Sequence, residues 1–264
     1  MYRSLANALT IALAIGAFTT NSSVLRAERG DRIANTCVWC HRRISAPPEL
    51  VNRFLDWRQS RHAAAGVTCD KCHGGNVASS IAKQAHAKMS PPSRPDSRIN
   101  PMNAPETCGG CHKAIVRSFV ESEHYRVLKA SEGGPSCTSC HAHMGSSVAR
   151  TSFEGESLCT SCHNTLNGPL PQRPDIVKKA KSTLDTIART NYTLLAIDEL
   201  LARARTRKLN VAAEREDLRL LKVTLAEAKT GWHAFTPEGS ALKSAKSFDD
   251  AVDIKQRLSK KVGL

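Results

Sequence analysis

Residues 37–41, Cys-Val-Trp-Cys-His, are the first of five copies of one pentapeptide, Cys-x-x-Cys-His, that together contain every cysteine of the chain. The other four copies are CDKCH (69–73), CGGCH (108–112), CTSCH (137–141) and CTSCH (159–163). This pattern is typical of c-type heme attachment, in which two thiols bind the porphyrin covalently and the adjacent histidine coordinates its iron. The sequence therefore predicts five covalently bound hemes c.

Each motif supplies both the covalent attachment and the proximal iron ligand. The predicted attachment residues are Cys37, Cys40, Cys69, Cys72, Cys108, Cys111, Cys137, Cys140, Cys159 and Cys162. The predicted proximal ligands are His41, His73, His112, His141 and His163. An isolated CxxC is also compatible with a redox dithiol or half of a zinc site. A zinc site would pair the motifs, but their number is odd and every one is followed by histidine, which favours heme.

The remaining histidines are equal in number to the hemes. The chain has ten histidines, and 10 − 5 leaves five outside the motifs. These predicted distal ligands are His62, His86, His124, His143 and His233. If all five coordinate iron, every heme is bis-histidine and has no open site for a substrate. Met89 and Met144 lie close to two of these histidines and are the alternative ligands.

One of the five, His143, follows the proximal ligand His141 by only two residues. Two axial ligands must approach an iron from opposite faces of the porphyrin. His143 therefore cannot reach the heme of its own motif, and we expect any iron that it binds to belong to a neighbouring heme.

The N-terminus has the three regions of a secretory signal peptide. Arg3 precedes the apolar stretch 8–18, polar residues follow, and Ala27 ends a cleavage site. The apolar stretch is shorter than the roughly 20 residues that span a bilayer. We therefore expect a signal peptide over 1–27 and a periplasmic or secreted mature chain. The alternative is a membrane anchor formed by an uncleaved N-terminal helix, because a signal-peptide cleavage site ordinarily has a small residue at the position that Leu25 occupies.

Residues 28–170 are predicted to form a heme-binding domain. Proline and glycine are frequent there, aliphatic runs are short, and the stretch 91–105 is predicted to be an irregular loop. Such a chain cannot bury enough apolar surface to offset its loss of conformational entropy. We therefore expect the hemes to form its core, and we expect this section to be unfolded without them.

Residues 171–264 are predicted to form a helical C-terminal domain. Apolar residues recur there at spacings of three and four, and Pro174 is suited to a helix start. The pattern predicts an antiparallel helical hairpin that turns near 207–210, followed by a shorter helix over about 246–261. It is compatible with a packing or dimerisation unit. If His233 is a distal ligand, the hairpin instead packs on the hemes.

The segment from Cys37 to Gly75 resembles the opening of the hydroxylamine oxidoreductase and related multiheme cytochrome superfamily. In that superfamily a CxxCH motif is followed by W-x-x-S-x-H-A and then by G-V-x-C-x-x-C-H-G. Trp57, Ser60, Ala63, Gly66 and Val67 match these elements in this chain. The resemblance implies a mainly α, loop-rich multiheme cytochrome c package, here pentaheme, in which His62 is a distal ligand.

Similar elements occur around the third and fourth motifs. Ser122 and His124 resemble the S-x-H element, and His143 resembles a histidine that follows a heme motif in paired modules of other multiheme cytochromes. The resemblance implies that both histidines are distal ligands. All five motifs end in histidine, whereas ammonia-forming pentaheme nitrite reductases have CxxCK at the catalytic heme. No catalytic residue can therefore be transferred to this chain.

These observations favour an electron carrier over an enzyme. The first hypothesis is electron transfer through five closely packed bis-histidine hemes. The alternative is an oxidoreductase that acts on a small nitrogen or sulfur compound at one heme whose distal site is open because His233 does not bind iron. In either case redox partner proteins are expected, including a membrane-associated partner or a second copy bound through the C-terminal helices.

The charge of the chain bears on these partners. The formal charge of +14 includes Arg3 and Arg26, so about +12 remains after the signal peptide. Basic surfaces can steer acidic redox partners. The expected compartment excludes nucleic acid as a partner.

Overall fold

The computed structural model describes residues 35–131, 133–142, 152–164 and 173–264. The predicted signal peptide, His143 and Met144 lie outside the described residues. Within the described residues every regular element is helical, which confirms the mainly α prediction. None of the described helices is both long enough and apolar enough to span a bilayer.

The section with the heme motifs consists of short helices joined by loops. They are α1 (Thr36–His41), α2 (Pro48–Arg58), α3 (Arg61–Ala64), α4 (Cys69–His73), α5 (Ala82–Ala85), α6 (Ala104–Gly109), α7 (Lys113–Val120), α8 (Glu123–Ser131), α9 (Cys137–His141) and α10 (Ser152–Cys162). Among the described residues of this section, the buried apolar residues are few: Val38, Ala104, Pro105, Phe119 and Leu128.

The predicted loop at 91–105 has no regular structure before α6, but side-chain hydrogen bonds fix its course. The Asn103 amide donates to the carbonyls of Pro95 (2.7 Å) and Ser97 (2.8 Å). Asn100 donates to the carbonyl of Pro92 (3.0 Å). These side chains satisfy backbone carbonyls that have no helix partner, so a stretch without regular structure still has a defined path.

The C-terminal section contains three long helices and holds the apolar core. They are α11 (Pro174–Thr206), α12 (Ala212–Gly231) and α13 (Pro237–Lys261), with a 3₁₀ turn (Trp232–Ala234) between the last two. α13 packs against both of the other helices. The core consists of Ile197, Leu200, Ala204, Val211, Leu218, Leu221, Ala251, Ile254, Leu258 and Val262. The chain turns between α11 and α12 near the predicted position, but both helices pack mainly against α13. The predicted two-helix hairpin is therefore not confirmed.

The last helix is longer than the predicted helix over 246–261, because α13 begins at Pro237. Its additional turns bury Ser240 and Ser244, which a hydrophobic pattern does not detect, and Ser247 is buried on the turn that follows. The hydroxyls of Ser244 and Ser247 donate to the carbonyls of Ala241 (2.9 Å) and Lys243 (2.8 Å) of the same helix. A serine whose hydroxyl is satisfied in this way can be buried at a helix contact at little cost.

The bundle is packed onto the heme-motif section at two places. The end of α12 and the 3₁₀ turn contact α7, and Phe235 lies against Phe119 with ring centroids 6.3 Å apart. α10 packs against α11, where Lys181 forms an ion pair with Glu156 (2.8 Å). The fifth motif and the third motif region are therefore both in contact with C-terminal helices.

Candidate heme-binding site

Three of the five heme motifs form a single helical turn, whereas the third begins in the last turn of α6 and the fifth lies at the end of α10. α1, α4 and α9 each end at the histidine of their motif. In an α-helix, residues three and four apart lie on the same side. The helical turn therefore places the two cysteines and the histidine of a motif on one side, as contact with one planar porphyrin requires.

All ten cysteines are free thiols in the structure. Burial raises the pKa of Cys69 to about 11, with a further contribution from the nearby Cys37 thiol. A hydrogen bond with Cys137 raises the pKa of Cys108. The protonated thiol is thus favoured at Cys69 and Cys108. The cysteines are half-buried, apart from Cys111 and Cys162, which are exposed.

The structure brings eight of the ten histidines together as four pairs, each made of one motif histidine and one predicted distal histidine. The distances between ring centroids are 6.1 Å for His41 and His86, 6.0 Å for His112 and His62, 6.0 Å for His163 and His124, and 6.1 Å for His141 and His233. Each pair joins residues from different elements. The pairing therefore results from the tertiary fold, not from local chain geometry.

The spacing of the pairs fits a metal between the two rings. Two imidazoles that bind one metal from opposite sides, with nitrogen–metal bonds of about 2 Å, have centroids roughly 6 Å apart. Aromatic rings in direct contact have centroids about 4.5–7 Å apart, so the spacing indicates a metal site only in combination with the presence of one motif histidine in every pair. Within the described residues, no three His, Cys, Asp or Glu side chains converge on one point. Two-ligand sites of this kind suit an iron whose four other ligands come from a porphyrin.

His62 and His124 are positioned by the same local arrangement, an S-x-H element at a helix start. The Ser60 hydroxyl accepts a hydrogen bond from the backbone N–H of Ala63 (3.2 Å) and donates to the carbonyl of Trp57 (2.7 Å). Ser122 is equally buried and makes the equivalent bonds, to the N–H of Tyr125 (3.1 Å) and the carbonyl of Phe119 (2.6 Å). A serine N-cap thus fixes the first turn of the helix on which each histidine lies.

His86 and His233 are oriented through their Nδ1 atoms. Nδ1 of His86 lies 2.8 Å from the carbonyl of Ala82, and Nδ1 of His233 lies 2.8 Å from the carbonyl of Lys229. A carbonyl can only accept, so Nδ1 is the protonated nitrogen in each ring. Nε2 is then left without a proton, with its lone pair available for a metal.

His124 and His163 have a drier environment. The Nδ1 atoms of both are buried and have no hydrogen-bond partner in the part of the chain that the structure describes. The ring of Phe235 packs edge-on against His124, with centroids 4.2 Å apart and planes at 90°. Phe235 follows His233 by two residues, so it links this pair to the pair of His141 and His233.

Burial keeps several of these imidazoles in the neutral form that binds metals. Burial lowers the pKa of His41, His73, His124, His141 and His233. For His141 the nearby rings of His233 and His112 lower it further. Protonation would therefore compete little with metal binding at neutral pH.

The sequence pattern did not predict the aromatic contacts at the junction of the heme-motif section and the C-terminal bundle. Phe235 packs against the predicted ligand His124 and also against Phe119, which is buried. The only sequence signal was the proximity of Phe235 to His233 in the segment GWHAF. Among the described residues, His73 is the one motif histidine that does not belong to the four pairs. Met89, an alternative ligand, lies against Gly75 and belongs to none of the pairs.

Comparison with known proteins supports the class of multiheme c-type cytochromes. Residues 9–74, which include the first two motifs, match the family model of cytochrome c554 and c-prime. The matched residues are about a quarter of the chain. The finer resemblance to hydroxylamine oxidoreductases stays a prediction.

A curated relative is the C-type polyheme cytochrome OmcC of Geobacter sulfurreducens, which is 25% identical over 128 residues. The match covers 46% of this chain and 16% of that protein, so the chain spans only a small part of the length of its relative. No solved structure matches the chain.

Proposed function

We propose that this protein is a periplasmic or secreted pentaheme cytochrome that transfers electrons through five bis-histidine hemes c. The observation that carries the proposal is the set of four histidine pairs with centroids 6.0–6.1 Å apart. Each pair combines a histidine of a CxxCH motif with one from elsewhere in the chain. When bound, heme supplies reversible one-electron chemistry between ferric and ferrous iron.

The proposed ligand pairs follow from the structure for four hemes. The pair for the remaining heme, the second, follows from the number of histidines in the chain. The first, third, fourth and fifth motifs would use His86, His62, His233 and His124, respectively, as second ligands. The histidines not used by these pairs are His73 of the second motif and His143. We assign these two to the second heme on the histidine count alone.

The role of the protein in this proposal is to fix the ligands and to exclude water. Buried serine caps, carbonyls that accept from Nδ1 and the ring of Phe235 fix the orientation of the imidazoles in the folded protein. Ligands held in this way need little reorganisation when the charge of an iron changes. Such preorganisation suits fast electron transfer.

The enzymatic alternative requires one heme with an open distal site, and it predicts that His233 is not a ligand. The ring of His233 lies 6.1 Å from that of His141, with Nδ1 bonded to a carbonyl and Nε2 free. This placement supports a ligand role for His233. We therefore favour electron transfer, with redox proteins as the partners.

Mass spectrometry and low-temperature EPR of the purified oxidised protein test the proposal together. We expect a mass increase equal to five hemes and only low-spin ferric signals. A high-spin signal that accounts for one heme in five would overturn the electron-transfer proposal in favour of an enzyme with an open site. Fewer than five covalent hemes would overturn the count.

A further inference from the structure

The contacts between the heme motifs follow a consistent order. Successive motifs are connected in sequence order, either through their own side chains or through residues that pack on both of them. We infer that the five hemes form a single line in chain order, from the first motif to the fifth. This inference rests on the proposed function, because it assumes that each motif carries its heme.

The first and second motifs are joined by hydrogen bonds. Asn35, the N-cap of α1, donates from its side chain to Asp70 inside the second motif (3.0 Å). The hydroxyl of Thr36 donates to the carbonyl of Val77 (2.6 Å), shortly after that motif. The thiols of Cys37 and Cys69 are also close enough to interact electrostatically. α1 and α4 are therefore in direct contact.

Arg98 connects the second motif to the third. Its guanidinium donates to the carbonyl of Lys71 in the second motif (3.0 Å). Its own carbonyl accepts from the hydroxyl of Thr107 (2.6 Å), the residue directly before Cys108. The arginine thus spans the two motifs with one hydrogen bond to each.

The third and fourth motifs are in direct contact. The thiols of Cys108 and Cys137 are hydrogen-bonded to each other. Ser136, directly before Cys137, donates to the carbonyl of Pro101 (2.8 Å), and α9 packs against α6. The ring of His141 also lies near that of His112, the proximal histidine of the third motif.

The fourth and fifth motifs are linked through their predicted distal ligands. Phe235, two residues after His233, packs edge-on against His124, which is paired with His163 of the fifth motif. The thiol of Cys140 also interacts with those of Cys159 and Cys162. These contacts make the fifth motif one end of the line.

The fifth motif also borders an open cleft. A cleft of about 720 Å³ between α10 and α11 is lined by His163, Lys178 and Lys181, among others. Glu156, which also lines the cleft, neutralises Lys181, and Lys178 adds one positive charge to the lining. The first motif forms the opposite end, next to the described N-terminal residues.

The test is the position of the irons in crystals of the holoprotein, located by the anomalous scattering of iron. We expect the nearest neighbours along the line to be first–second, second–third, third–fourth and fourth–fifth. A nearest-neighbour contact that skips a motif, such as first–third, would overturn the inference. If five low-spin hemes are present but their order differs, this inference fails and the proposed function stands. If fewer are present, the proposed function itself fails.

A solution experiment uses two matched variants, each of which should create one high-spin heme. His62→Ala would do so at the third heme and His86→Ala at the first. We expect the high-spin iron of His62→Ala to accelerate the electron-spin relaxation of the fourth heme several-fold more than that of His86→Ala, because dipolar effects fall steeply with distance. An equal or reversed effect, with both variants retaining five hemes, would overturn the linear order.

Discussion

The rings of His141 and His233 are nearly parallel, with 9° between their planes, whereas the other three histidine pairs are inclined by 57° to 71°. When two imidazoles bind one ferric iron, their mutual angle determines the splitting of the iron d orbitals. Parallel planes give a rhombic low-spin EPR signal, and steeply inclined planes give a more axial signal. The fourth heme should therefore be spectroscopically distinct from the other three hemes with paired rings.

His233→Ala is expected to remove the rhombic signal and to produce one high-spin ferric heme, because the variant lacks the second ligand of the fourth heme. Low-temperature EPR measures both changes in one spectrum. His233→Met is the control: methionine can still bind the iron, so the heme should stay low-spin while its reduction potential rises. Retention of the rhombic signal in His233→Ala would show that His233 is not the ligand.

Gly134→Ala is expected to disturb the fifth heme. A Cβ at this position would lie 2.3 Å from the backbone nitrogen of Leu128 and 2.7 Å from the carbonyl oxygen of His124. Both atoms belong to the backbone of α8, so the helix itself must shift, at a cost of about 1–3 kcal/mol. We expect a lower thermal midpoint and a changed low-spin signal for the fifth heme.

Gly133→Ala is the matched control for this clash. Its Cβ would meet only the Ser131 hydroxyl at 3.4 Å, so the variant should have the spectrum and the stability of the wild type. Equal behaviour of the two variants would contradict the close approach of the 133–134 backbone to α8.

Glu214→Gln is expected to destabilise the C-terminal bundle. The Glu214 carboxylate is only 3% exposed, and it accepts from Lys261 at 2.8 Å with Arg257 3.9 Å away. These contacts connect α12 to α13. Because hydrogen bonds to charged groups contribute about 1.5–3 kcal/mol, urea unfolding followed by circular dichroism should show a loss of that size at pH 7. Glu216→Gln, in an exposed pair with Arg219, should leave the free energy of unfolding unchanged.

The same carboxylate predicts a pH dependence. Burial tends to raise the pKa of Glu214, but the hydrogen bond from Lys261 and the charge of Arg257 outweigh it, and the pKa lies below the ordinary value of 4.5. The ionised form is therefore favoured more in the folded than in the unfolded chain. Its contribution to stability is complete above about pH 4.5 and is lost as the pH falls through the folded pKa. The Gln variant should lack this part of the acid sensitivity.

The chain without heme is expected to be folded only in its C-terminal part. The apolar core lies within 197–262, and buried apolar side chains are few in the described residues before 165. A variant with serine at all ten motif cysteines should therefore yield, on limited trypsin digestion, a protected fragment near 173–264. The holoprotein should be protected over both sections. Protection of 35–164 in the heme-free variant would contradict a core made of heme.

Much of the candidate site could be predicted from the sequence because the CxxCH motif is local. Two cysteines and a histidine at fixed spacing fall on one side of a single helical turn whatever surrounds it. The S-x-H elements at Ser60 and Ser122 are equally local, because a serine N-cap acts on the turn that follows it. The pairing of histidines depends instead on the tertiary fold, so the count of ten predicted that pairs exist but not which rings meet.

The start of α13 shows what a hydrophobic pattern leaves out. Ser240, Ser244 and Ser247 are polar residues by type but buried in the bundle, since small side chains let two helices approach closely. Periodicity of apolar residues therefore located the helix only from 246 onward. The contact of Phe235 with His124 could not be predicted from the sequence for a related reason, because it depends on how the C-terminal bundle packs against the heme-motif section.

The positions of the paired histidines in the sequence also determine the order in which the ligand pairs can be completed during synthesis. A chain is made from its N-terminus, and His41 needs only the residues up to His86 before its partner is available. When His112 is synthesised, its partner His62 is already present in the chain, and the same holds for His163 and its partner His124. His141 has its partner only after the chain has been synthesised as far as His233, which is nearly its whole length. The fourth heme is thus the last to be completed, and a prematurely shortened chain would carry one iron that lacks its second histidine.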